Sequence, residues 1–188
     1  MYMPGRKQGQ IEAFTGCLPP HQGPYLEWCA GKGHLGRLVS LHRGAEILSL
    51  EWQGALCEEG RRLAARDGAN MRFVEADAFA TESGALSAPH HHAMALHACG
   101  ELHTHLLEQV AERGARGVTL SPCCYHLIRT SHYRPLSQAA KASALHLGKS
   151  DLKLPLQETV TGGARIARLR EREVVWRLAF DCLQRQVR

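Results

Sequence analysis

The stretch Gly31-Lys32-Gly33-His34-Leu35-Gly36 has the spacing Gly-x-Gly-x-x-Gly. Glycines so placed let backbone approach a ligand, and where such a run opens a helix, the N–H groups of the first turn favour negative charge. Alone, the run is a weak signal. Glu51 stands twenty residues beyond Gly31, the spacing at which a carboxylate on a strand tip accepts hydrogen bonds from ribose hydroxyls. Asp77, in Glu75-Ala76-Asp77-Ala78-Phe79, is a further acid to which an amino-purine could donate. Together the three features point to a nucleoside cofactor. A second constellation is His97, Cys99, Cys123, Cys124 and His126. Thiolate and imidazole are zinc donors, but adjacent cysteines rarely bring both sulfurs to one ion and the chain has no Cys-x-x-Cys, so no metal is expected. Cys124 reads as a small packing residue, while Cys99, Cys123 and His126 are candidate catalytic residues. His90, His91 and His92 follow Pro89 in an expected loop and read as solvated.

These residues act together only if the fold brings them to one place. Short apolar runs at 25–29, 46–51, 71–75, 93–98 and 117–120 read as strands, the last stopping at Ser121-Pro122. Between them, 34–42, 53–67 and 101–113 read as amphipathic helices, with Leu35, Val39, Leu63, Leu102 and Leu106 turned inward. Strands alternating with helices predict an α/β, Rossmann-like doubly wound fold, a mostly parallel sheet with helices on both faces. Right-handed crossovers then line up the strand carboxyl ends, and the loops carrying Gly31, Glu51, Asp77, Cys99 and Cys123, along one rim. Further on, 136–147 reads as a helix, 154–160 as extended, and 168–186 as a long helix. That last helix carries Val175, Leu178, Ala179, Cys182 and Leu183 on one stripe and Trp176 and Phe180 on a second, a pattern that calls for two partners.

The segment Glu27-Trp28-Cys29-Ala30-Gly31-Lys32-Gly33-His34-Leu35 resembles the first motif of class I S-adenosylmethionine-dependent methyltransferases, acid-x-Gly-x-Gly-x-Gly, with Cys29 in place of the first glycine. His97-Ala98-Cys99-Gly100-Glu101-Leu102 and Cys123-Cys124-Tyr125-His126 resemble the His-x-Cys-Gly-Asp/Glu-Leu and Cys-Cys-Tyr/His pieces of a methyltransferase-domain family. That family has eukaryotic relatives and a tRNA 2′-O-methyltransferase branch. The resemblance covers about residues 10 to 127 and implies S-adenosyl-L-methionine as cofactor. It implies that Glu27 supports the glycine turn and the methionine amine, that Gly31 and Gly33 pass under the cofactor, that Glu51 holds the ribose and Asp77 the adenine, and that His97 and Ala98 line the methionine side. Ala30, His34, Leu35, Trp52 and Ala78 complete the implied cofactor set. No Asn-Pro-Pro-Tyr or Asp-Pro-Pro-Tyr follows the fourth strand, which disfavours the methylases that hold a base amine with that motif.

With 188 residues, 44% hydrophobic and 22% charged, the chain is long enough for one globular domain. No apolar run approaches the ~20 residues that span a bilayer, and no secretory signal follows the first residues, so a cytoplasmic protein with no membrane contact is expected. Seven cysteines, two of them adjacent, fit reduced thiols better than a disulfide framework. The net charge is +5, and 164–188 holds seven arginines against three acids. RNA contact is expected there first. Residues 1–135 read as a cofactor-binding domain and 136–188 as a C-terminal extension or a truncated part of the same domain, because class I methyltransferases close with two antiparallel strands and no clean hairpin follows Pro155. The unpartnered stripes agree with a homo-oligomer or a missing C-terminal domain. A nicotinamide-dependent oxidoreductase and a non-catalytic binding subunit are the alternatives to a methyltransferase, and RNA, protein and small molecules all stay open as acceptors.

Overall fold

Apolar side chains at successive positions of a strand bury it on both sides, and Tyr25-Leu26, Ile47-Leu48 and Ala93-Met94-Ala95 are such runs. In the computed structural model, which describes residues 5–20, 23–157 and 164–187, they lie at the centre of one sheet. Strands β1 (Tyr25–Trp28), β2 (Ile47–Glu51), β3 (Met71–Glu75), β4 (His92–Cys99) and β5 (Gly117–Cys123) are ordered β3-β2-β1-β4-β5, every pair parallel. Strand order reverses between β1 and β4, so a crevice forms at their carboxyl ends, the usual place for a ligand in an open α/β sheet. Helices α1 (Gly5–Gly16), α2 (His34–Arg43), α3 (Gly54–Asp67) and α4 (Glu101–Arg113) supply the layers. One apolar core joins Ile11 and Phe14 of α1 and Leu35 and Val39 of α2 to Tyr25, Ile47 and Met94. The other joins Leu106 of α4 to Leu26, Leu48, Ala93 and Ala95. The expected Rossmann-like fold is present.

Several elements differ from expectation, each for a local reason. Helix α1 had no counterpart in the sequence reading: three glycines weaken its helical signal, yet Ile11 and Phe14 reach the core. Strand β5 runs through Pro122 to Cys123 instead of stopping at Ser121, which its edge position permits, since an edge strand can spare a ladder N–H. Strand β4 starts at His92, and that imidazole is buried with Nε2 2.8 Å from Thr119 Oγ1 rather than solvated. Within 136–147 the only helix is the single turn α5 (Gln138–Lys141), capped by Ser137; the Tyr133 N–H then donates to the Leu147 carbonyl and folds the segment back as a loop. Residues 154–157 form another turn, α6 (Leu154–Gln157), not an extended run, and 158–160 lie outside the described residues.

The chain divides into two compact units, 1–152 and 153–188. The second contains α7 (Ala164–Val187), longer than the expected 168–186, with Trp176 73% and Phe180 62% exposed. No helix among the described residues is long and apolar enough to cross a membrane.

Candidate cofactor site

Beyond β1 the chain turns through three left-handed residues, Cys29 (φ +56°), Gly31 (+57°) and Gly33 (+66°), into α2. Two carboxylates fix this turn. Glu27, buried in the sheet, accepts the Gly36 N–H at 3.0 Å and the Ser49 hydroxyl at 2.8 Å, tying the start of α2 to β1 and β2. Burial pushes its carboxyl up to about 7, against the opposing pull of those hydrogen bonds and of Arg37. Glu51, at the tip of β2, accepts the Gly31 N–H at 2.8 Å with one oxygen and the Gln53 N–H at 3.0 Å with the other. Cys29 itself holds a left-handed backbone, at a cost of about 1–2 kcal/mol for a residue with a Cβ.

The two glycines of the turn have different work. A Cβ on Gly31 would meet no atom within 4 Å, so its surface is open to a ligand. On Gly33 it would lie 2.5 Å from Phe73 Cζ and 2.8 Å from Met71 Cε. The missing side chain of Gly33 therefore makes room for Phe73 and Met71 of β3.

Two cavities flank the turn. One, of about 410 Å³, is lined by Leu50, Glu51 and Trp52 from β2 and beyond, Asp77, Ala78 and Phe79 after β3, and Leu102 and Arg129. Asp77 holds the loop by accepting the Phe79 N–H at 2.9 Å, and the Arg129 guanidinium lies 3.7 Å over the Phe79 ring. The other, of about 200 Å³, is lined by Glu27, Ala30, Gly31, His34, Leu35 and His97, with Lys7 and Ile11 from α1. Cys29 lines both, and its thiol is pushed up to about 12, first by burial and then by the nearby Glu51, Cys99 and Asp77, so it is a neutral wall. His34 Nδ1 lies 2.9 Å from Arg37 Nη2 and must accept, because a guanidinium only donates. Burial and then Arg37 pull this imidazole down to about 4, so it is uncharged at neutral pH.

Of the twelve cofactor residues expected from sequence, ten line one cavity or the other. Gly33 lines neither cavity, and Ala98 is fully buried in the core. Lys7, Ile11, Phe79, Leu102 and Arg129 were missed. Phe79 stood beside Asp77 in the segment read for its acid, but no local signal places Arg129 or α1 against the rim. Of the candidate catalytic residues, Cys99 Sγ lies 3.2 Å from Cys123 Sγ. Burial raises both thiols, Cys123 to about 12, so neither is a proton acceptor at neutral pH. His126 Nδ1 is buried without a hydrogen-bond partner among the described residues.

The family model for a methyltransferase domain matches residues 6–131. This chain belongs to that family. No curated protein sequence matches it. Among solved structures, a geranyl diphosphate methyltransferase in complex with GPP and sinefungin is 17% identical with a TM-score of 0.51, over 61% of this chain and 44% of that one. The tRNA (uracil-54, C5)-methyltransferase of Pyrococcus abyssi, in complex with S-adenosyl-L-homocysteine, is 13% identical with a TM-score of 0.50, over 63% of this chain and 28% of that one. At those identities the likeness is one of fold, and this chain spans less than half the length of either neighbour.

S-adenosyl-L-methionine is the cofactor of this methyltransferase class, and the residues of the domain fit it. The larger cavity pairs two carboxylates with apolar walls, as the hydroxyls, amine and flat base of adenosine require. The smaller shares Cys29 with it as a wall and has Glu27 and His97 in its lining, groups suited to an amino-acid end. Glu51→Ala is expected to weaken S-adenosylmethionine binding by roughly 1.5–3 kcal/mol, the worth of hydrogen bonds to a charged group. Isothermal calorimetry on the folded variant reads it, and unchanged affinity removes Glu51 from the ribose site.

Proposed function

We propose that this domain transfers a methyl group from S-adenosyl-L-methionine to structured RNA. The observation that carries the transfer reading is the pair of cavities that share Cys29 as a wall, one lined by Glu51 and Asp77 and the other by Glu27 and His97. When bound, the cofactor supplies a methyl group already activated on a positively charged sulfur. The chain's own work is positional. Glu51 and Asp77 hold the adenosine, Glu27 and His97 frame the methionine end, and the neutral Cys29 and His34 bring no charge to compete with the sulfonium. The acceptor approaches from the rim between His97-Ala98-Cys99-Gly100 and Pro122-Cys123-Cys124-Tyr125-His126. There His126 receives the acceptor's proton or fixes its direction.

Support for RNA comes from α7. Arg165, Arg168 and Arg172 are exposed and fall on one stripe of the helix, whereas Arg177 and Arg185 are ion-paired with Glu173 and Asp181 at 2.6 and 2.7 Å. Three phosphate contacts should make log K fall by roughly 2 to 3 per tenfold rise in salt. Filter binding of cellular RNA across a salt series is expected to show that slope, and the triple Arg165, Arg168, Arg172→Ala variant to flatten it. A flat slope in the parent, or no retention at low salt, leaves a protein or small-molecule acceptor. His126→Ala is expected to lower methyl transfer about 100-fold while S-adenosylmethionine affinity stays within twofold. Equal loss of both would make His126 a packing residue. Cofactor binding with no methyl incorporated into RNA or protein from a deletion strain favours a non-catalytic binding subunit, and preference for NAD over S-adenosylmethionine an oxidoreductase.

A further inference from the structure

The cavities leave one cluster unaccounted for. Cys99, Cys123 and Cys124 line neither of them, yet their three sulfurs all lie within 4.8 Å of one another, half-buried at the carboxyl ends of β4 and β5. Regular strands would not produce this. Neighbouring residues of an extended chain point to opposite faces, so Cys123 and Cys124 should diverge. They converge because Cys124 has a left-handed backbone, φ +49°, which L-residues adopt only under constraint. On the other strand, the register with β5 shifts between Leu96 and Cys99, His97 takes φ +65°, and pairing resumes at Cys99 and Cys123, bringing those two sulfurs to 3.2 Å. Two separate departures from regular backbone thus aim three sulfurs at one point.

We propose that Cys99, Cys123 and Cys124 bind one zinc ion. Zinc–sulfur bonds of about 2.3 Å in tetrahedral geometry set sulfurs about 3.8 Å apart, which lies between the closest pair and the 4.8 Å limit of the cluster and is reached by small side-chain rotations. Binding breaks three S–H bonds, forms three Zn–S bonds and releases three protons to solvent. The resulting centre carries one net negative charge. Cys99 immediately precedes Gly100, the N-cap of the 13-residue helix α4, so the centre's charge lies within a few residues of the positive end of that helix. Among the described residues no His, Asp, Glu or further Cys joins the three within the same limit, His97 and His126 included. The fourth position is therefore left for water or a substrate atom, the arrangement of a reactive rather than a structural zinc. This goes beyond the methyl-transfer reading and does not depend on it.

The test is cobalt(II) titration of the full, phosphine-reduced chain. One equivalent is expected to give the thiolate-to-cobalt charge-transfer band and the intense d–d bands of four-coordinate cobalt, both abolished by one equivalent of zinc. Cys99→Ser, Cys123→Ser and Cys124→Ala are each expected to weaken cobalt binding at least 100-fold. Cys17→Ser and Cys182→Ser, at exposed cysteines, should leave it unchanged. Circular dichroism on each variant separates lost ligands from lost fold, and should the cluster variants unfold, the parent titration still decides. Absence of a stoichiometric charge-transfer band in the parent, retention of it in a folded Cys124→Ala, or its loss in Cys17→Ser or Cys182→Ser overturns the site. Calorimetry of S-adenosylmethionine with the metal-free parent reports on the cofactor site independently.

Discussion

Gly100→Ala is expected to destabilise the domain by about 4 kcal/mol and to abolish cofactor binding. Gly100 stands between β4 and α4 with φ +55° and ψ −130°, a conformation open essentially to glycine alone. An added Cβ would also overlap the Leu127 carbonyl group, which is backbone and cannot rotate aside. The strain is about 1–3 kcal/mol and forced repacking about 1–3 more. Relief requires the segment around Leu127 to move. That segment is pinned by the Leu127 N–H donating to the Cys124 carbonyl at 3.0 Å and by buried Ile128, and it carries Arg129 to the wall of the adenosine cavity. Gly114→Ala provides the comparison, since Gly114 has φ +66° at the end of α4 but nothing within 4 Å of an added Cβ. It should cost about 1 kcal/mol, the backbone preference alone. Urea unfolding of both variants measures the difference, and equal costs would mean that Leu127 does not pack on Gly100.

Glu27→Ala is expected to cost a similar amount, about 4 kcal/mol, because it strands the buried Gly36 N–H and the Ser49 hydroxyl and leaves a void between β1 and α2. Glu27→Gln keeps both hydrogen bonds, with its amide oxygen on the Gly36 N–H and its amide nitrogen donating to Ser49, and removes only the charge. The pair therefore separates packing from ionisation. The folded carboxyl titrates near 7, above its ordinary 4.5, so between those values the folded chain keeps a proton that the unfolded chain has released. Its contribution is present in full below about pH 4.5 and is lost as pH rises through about 7, a change on the order of 3 kcal/mol. His34 works in the opposite sense. Its imidazole is held down near 4 from 6.5, so its contribution is present above 6.5 and lost as pH falls through 4. The parent's own pH curve mixes the two, and the difference between parent and Glu27→Gln isolates the carboxyl. That difference should decline steadily from pH 4.5 to 7, and a flat one would place the Glu27 pKa in the ordinary carboxylate range.

Much of the site was legible because it is local. The glycine turn, Glu51 at the end of β2 and Asp77 beyond β3 stand at fixed short distances from strands whose apolar runs announce themselves, and a parallel sheet has to bring those strand ends to one rim. The central strands were likewise readable as short continuous apolar runs buried on both faces, and α4 by the helical spacing of its apolar residues. What hangs on contacts distant in sequence was not. Gly33 reads the same as Gly31 in the chain, and only the neighbouring β3 shows that its missing side chain makes room for Phe73. Lys7 and Ile11 belong to a glycine-rich helix whose weak propensity is overruled by packing against α2. Arg129 reaches the larger cavity because Gly100 admits the loop that carries it. Adjacent cysteines at 123 and 124 read as diverging as long as the backbone is regular, and a single left-handed residue brings their sulfurs together with that of Cys99. By itself the sequence determined the sheet, the turn and the acids that line the larger cavity, since each follows from apolar runs and short spacing. The tertiary structure decided which glycine packs against β3 and which thiols meet, because both depend on side chains and backbone angles contributed by segments far apart in the chain.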